Sequence, residues 1–135
     1  MTPFETLARR RATTVVAPDG SAVMPLLGLA GGSMAEFELA PGQTSAAMTH
    51  RTVDEIWYVL RGRGEIWRRQ GTHEEVAPLE PGVCLTIPLG TTFQFRVYSP
   101  DEPLQVVAVT MPPWPAGSEE EARPAQGCWT PVLRH

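Results

Sequence analysis

Apolar and polar positions alternate along much of the chain. Ile56, Trp57, Tyr58 and Val59 are branched or aromatic, and the run Asp54 to Leu60 reads as a strand. Glu65 to Arg69 and Glu74 to Leu79 bracket Gln70-Gly71-Thr72-His73 and predict a hairpin. Further strands are predicted over Thr13 to Val16, Ala22 to Leu29, Ser33 to Leu39, Val83 to Ile87, Thr92 to Tyr98 and Leu104 to Thr110. Pro25 marks an edge or a bulge in the second of these. Turn chemistry separates the strands, as in Pro18-Asp19-Gly20-Ser21, Pro41-Gly42, Glu80-Pro81-Gly82 and Pro88-Leu89-Gly90. Many strands with no helices between them predict an all-β sandwich or barrel.

The two ends depart from this pattern. Thr2-Pro3-Phe4-Glu5 resembles a helix start, with Phe4, Leu7 and Ala8 on one face, and predicts a short helix from about Pro3 to Arg11. Its apolar face is expected against the barrel or a second subunit. From Met111 the run Met111-Pro112-Pro113-Trp114-Pro115 opposes regular structure. A surface-wrapping tail over 111–135 is expected, anchored by Trp114 and Trp129, with the acidic stretch Ser118 to Arg123 exposed.

Length and composition fit one domain. The chain has 135 residues, 42% hydrophobic and 19% charged, enough to bury a core. The net charge of -4 is accompanied by no basic patch wider than Arg9-Arg10-Arg11, read as a solvated face. Nucleic acid is therefore not an expected partner. No apolar run approaches the length of a membrane span, and the first residues lack a secretory pattern. A cytoplasmic address is the expectation. Cys84 sits in an apolar strand pattern and reads as a small buried hydrophobe; no disulfide with Cys128 is indicated.

Two segments carry a motif. Gly42 is followed by five residues, then Met48, Thr49, His50, four residues, Glu55, six residues and Gly62. Gly82 is followed by five residues, then Pro88, Leu89, Gly90, two residues, Phe93, three residues and Val97. These resemble the two signatures of the cupin superfamily, in which histidines stand where Met48 and Phe93 stand here and asparagine where Val97 stands. The glycines, Pro88, His50 and Glu55 fit.

The resemblance implies a double-stranded β-helix, a jelly-roll barrel, with its core at about 33–110 and a homodimeric state. It also implies that Met48, His50, Glu55 and Phe93 converge on the barrel lumen. Of the family's four metal ligands only His50 and Glu55 remain, so no cofactor is expected; a divalent metal, if bound, falls to those two. Met48 offers only a soft thioether and Phe93 no donor. His73, in the hairpin turn, and His135, the last residue, have no route into the lumen. Gln94 adjoins Phe93 but belongs to the opposite face unless a bulge intervenes.

His50 and Glu55 are the candidate catalytic residues. The plainer alternative is a hydrogen-bonded pair that raises the histidine pKa. Arg96 and Arg68 are other candidate partners for Glu55, which needs one if buried. Met48, Trp57, Phe93 and Phe95 are the candidate ligand-binding wall. For Trp57 and Phe95 ordinary core packing is the competing reading.

The function expected first is binding of a small molecule in an apolar-aromatic lumen oriented by His50 and Glu55. The alternatives are a metal-dependent dioxygenase or isomerase with an incomplete ligand set, a metal-independent isomerase or cyclase with His50 in proton transfer, and a structural or regulatory partner. Substrate identity is not legible, since fold does not assign a reaction.

Overall fold

A computed structural model describes residues 1–115 and 121–133. The elements in chain order are β1 (Val15–Val16), β2 (Ala22–Leu29), β3 (Gly32–Leu39), β4 (Met48–His50), β5 (Asp54–Arg61), β6 (Gly64–Gln70), β7 (His73–Leu79), β8 (Cys84–Ile87), β9 (Thr92–Val97), β10 (Leu104–Met111) and β11 (Ala122–Pro124). They form two antiparallel sheets, one in the order β1-β2-β3-β10-β5-β8 and the other β11-β4-β9-β6-β7. This is the jelly-roll arrangement expected above.

Alternation sets which side chains meet between the sheets. On β5, Glu55, Trp57 and Val59 are buried while Asp54, Ile56, Tyr58 and Leu60 are exposed. On β10, Leu104, Val106, Ala108 and Thr110 point inward. The second sheet supplies Met48, Ile66, Leu79, Phe93, Phe95 and Val97. Aromatic rings lock the layers: Phe95 meets Trp57 edge-on at 5.1 Å and Phe37 at 5.7 Å. Edge-to-face pairs of this kind add to the area they bury.

The motif glycines close the turns. Gly62 has φ 89°, and a Cβ there would collide with the carbonyl of Pro103. A side chain at this position is excluded on both counts. At Pro25 the pairing of β2 with β3 shifts register, as a strand proline predicts.

Four expectations need correction. The N-terminal helix is absent: only Arg9–Arg11 forms a 3-10 turn, with no buried residue. Phe4 is fully exposed, so the apolar face had no surface to pack on. So short a helix does not stand without packing. Arg9 instead donates through Nε to Glu36 Oε2 at 2.9 Å.

The tail is no mere wrapping. Its β11 joins the second sheet, pairing Ala122 with His50 and Pro124 with Met48. Glu121 is buried and accepts from the backbone N–H of Thr52 and Val53 at 2.6 and 3.0 Å and from Thr52 Oγ1 at 2.8 Å. The acidic stretch is therefore not exposed at Glu121; Ser118 to Glu120 lie outside the described residues, as does His135.

Gln94 is fully buried, and it too serves the tail. Its Nε2 donates to the carbonyls of Ser45 and Trp129, and its Oε1 accepts from Trp129 N–H. Cys84 is exposed rather than buried, because Leu85 and Ile87 take the inward positions of β8. Both cysteines are free thiols.

Candidate functional site

Three short stretches bring the motif residues together. On β4, Met48 and His50 are buried with Thr49 between them. Met48 stands opposite Phe93 in the pairing of β4 with β9. Glu55 and Trp57 enter from β5 in the other sheet. All five side chains line one cavity of about 900 Å3 between the sheets. That lies within the usual range for small-molecule sites. Phe95 does not join them; it is core, packed behind Trp57.

Aromatic faces dominate the walls. The His50 ring meets Phe93 edge-on at 5.2 Å and Trp114 at 5.3 Å. Trp57 and Phe93 stand nearly perpendicular at 5.9 Å. Trp114 is held from behind by its backbone N–H, which donates to Ser33 Oγ at 2.9 Å.

His50 and Glu55 do not form the expected couple. Glu55 accepts from Trp57 Nε1 at 2.6 Å. Nδ1 of His50 is buried and finds no hydrogen-bond partner among the described residues. Burial holds the imidazole neutral and lowers its pKa to about 4, with the charge of Glu121 pulling weakly the other way. This reverses the expected direction, because desolvation outweighs the nearest charge. Burial pushes the Glu55 carboxyl up to about 7; the Trp57 bond opposes this and the charge of Asp19 reinforces it. Neither arginine serves Glu55. Arg96 pairs with Glu65, and Arg68 with Glu75 and the Thr86 carbonyl. His73 is exposed at the start of β7, beside Glu75.

Asp19 is a site residue the sequence pattern concealed. It sits in the turn before β2 and lines the cavity. Its Oδ1 accepts from the Ser21 amide at 2.9 Å and the Ser21 hydroxyl at 2.6 Å. Burial raises its pKa, and the bonds from Ser21 offset part of that rise. It keeps some accessible surface because it faces the void, although protein surrounds it. An Asp in a Pro-Asp-Gly-Ser turn carries no signal beyond turn formation. Trp114 was visible as an anchor but not as a wall of the cavity.

The residues present do not fit the divalent metal that the fold family commonly holds. Two of the four ligand positions carry Met48 and Phe93, and Glu55 Oε1 is engaged by an indole N–H. Among the described residues, no three His, Cys, Asp or Glu side chains are grouped so as to hold an ion. Catalytic metals need about three such ligands.

Known proteins bear on this architecture. Ectoine synthase from P. lautus is 18% identical, with 94% of each chain covered and a TM-score of 0.72. KdgF from Halomonas sp. is 17% identical over 82% of this chain and 94% of its own, with a TM-score of 0.68. Pac13, described as a unique nucleoside dehydratase and also solved from Streptomyces with uridine, is 11% identical over 92% of each chain, with a TM-score of 0.70. At such identities the likeness speaks for the fold alone. Among curated protein sequences none is significantly similar. The family model described as Cupin domain matches residues 35–110, from β3 through β10. With more than half of its length inside that match, the chain belongs to the cupin domain family.

Proposed function

We propose that this protein binds a small organic molecule in its barrel lumen without a resident metal. The observation that carries the reading is the cavity of about 900 Å3 that gathers His50 and Glu55 among Met48, Trp57 and Phe93. An apolar wall with a few convergent polar groups suits recognition of a desolvated ligand. A void of this size also speaks against a purely structural role, for which a packed lumen suffices. Metal analysis together with mass spectrometry of molecules released from the purified protein tests the reading. A co-purifying organic ligand and substoichiometric metal are the expected result. Stoichiometric iron, zinc, manganese or nickel would overturn it.

A second reading, a metal-independent acid–base enzyme, is favoured by the opposed proton affinities of two cavity residues. Near neutral pH, Glu55 at about 7 retains a transferable proton, while His50 at about 4 is a neutral acceptor. Carboxyl groups tuned toward the working pH are suited to proton transfer. In this reading Glu55 is the donor and His50 the base. Turnover lost in Glu55→Gln with ligand affinity retained separates it from simple binding. We further propose a homodimer and a cytoplasmic address. Exposed Phe4, Val15, Val16 and Leu29 supply apolar surface for a partner copy. No helix among the described residues is long and apolar enough to cross a membrane.

A further inference from the structure

Buried carboxyl groups elsewhere in the barrel have their charge answered. Glu36 receives Arg9, and Glu121 receives three donors from Thr52 and Val53. The two carboxyls of the cavity are different. Among the described residues, Asp19 is answered by Ser21 and Glu55 by the Trp57 indole. Both line the same cavity. No lysine or arginine occurs among the described residues lining the cavity. Among the described lining residues, the one side chain able to carry positive charge is His50, itself buried.

His50 lines the same cavity, and its Nδ1 is buried without a hydrogen-bond partner among the described residues. Among its described lining residues, the lumen is thus short of a positive charge. A metal ion does not meet that need, since among the described residues the donors are not grouped for coordination.

We propose that the ligand of this cavity is an organic cation, a protonated amine or quaternary ammonium on an apolar body. Its charged head sits at Asp19 and Glu55, and its body lies against Trp57, Phe93 and Trp114. Aromatic faces attract such cations, and the attraction strengthens when water is excluded. Anionic ligands meet two carboxyls with no compensating cation and are rejected. The inference rests on the reading of the lumen as a small-molecule site and adds the charge class of what enters it.

The test uses three size-matched series of fluorinated aromatic probes: arylalkyl amines, arylalkyl alcohols and arylalkyl carboxylates. Binding to the full-length protein is followed by fluorine NMR and calorimetry. Amines are expected to bind about tenfold or more tighter than alcohols, with carboxylates weakest. Asp19→Asn keeps the acceptor for Ser21 and removes the charge; it is expected to erase the preference for amines and leave alcohol binding in place. Glu55→Gln makes the same test if Asp19→Asn does not fold. Alcohols or carboxylates binding as well as amines would overturn the inference and leave the small-molecule reading intact. Binding by none of the three series would overturn both.

Discussion

Trp57 and Glu55 stand two residues apart on one face of β5, and the indole Nε1 donates to the carboxyl Oε1 at 2.6 Å. The bond holds down a proton affinity that burial raises. Trp57→Phe keeps an aromatic ring and deletes the donor. The Glu55 pKa is expected to rise above about 7, measurable by carbon-detected NMR of the carboxyl. Stability is expected to fall by about 2 kcal/mol, from lost ring volume and the bond together.

The stability profile with pH has opposing contributions. Glu55 is raised from 4.5 to about 7, so what it contributes is fully present below pH 4.5 and lost as pH rises through 7. His50 is lowered from 6.5 to about 4, so its contribution is present above pH 6.5 and lost as pH falls through 4. Each is on the order of 3 kcal/mol. Urea titrations should show the two partly cancelling between about pH 4.5 and 6.5. In Glu55→Gln, stability should rise from pH 4 to 6.5, with Asp19 opposing part of that rise because its pKa is raised. In His50→Gln it should fall from pH 4.5 to 7, with Asp19 contributing in the same sense because its pKa is also raised.

Trp114 covers one side of His50 at 5.3 Å. Trp114→Ala admits water to the imidazole and relieves its desolvation. The His50 pKa is expected to move from about 4 toward its ordinary 6.5, read by proton NMR titration. An unchanged value would show that the burial comes from elsewhere.

Gln94 ties the C-terminal segment to β9 through two hydrogen bonds with Trp129, and a third goes to the Ser45 carbonyl. Gln94→Leu leaves those backbone groups without their partner and should cost about 3 kcal/mol. Hydrogen exchange at the Trp129 amide should accelerate as well. Gly127→Ala should disturb the same contact, because a Cβ there collides with Gln94 Oε1 and Ala47.

The dimer proposal is checked by sedimentation at micromolar concentration. Two copies are expected, and a monomer there would refute it.

The long strands were legible because alternation and turn residues recur through them. Asp54–Arg61 is the clearest case, with every second residue buried. The convergence of Met48, His50, Glu55 and Phe93 was legible only from motif spacing. Met48–His50 is three residues long, too short to show a period, and β11 holds Pro124 with no apolar run. Both are strands because they pair with each other and β4 pairs with β9. Cys84 could have been placed correctly, since Leu85 and Ile87 fix the parity of β8. The His50–Glu55 couple failed for a subtler reason. Spacing brings residues to one cavity but does not say which donor reaches a carboxylate first, and Trp57 on the same strand does.

The pairing of β11 with β4 has a consequence for biosynthesis. A ribosome releases His50 about seventy residues before Ala122, its partner across the sheet. Until then β4 waits with one flank unprotected, and such flanks recruit foreign chains. The strand that carries the histidine is therefore the last to be sealed, and a transcript cut short before codon 121 should yield a polypeptide that aggregates through that flank.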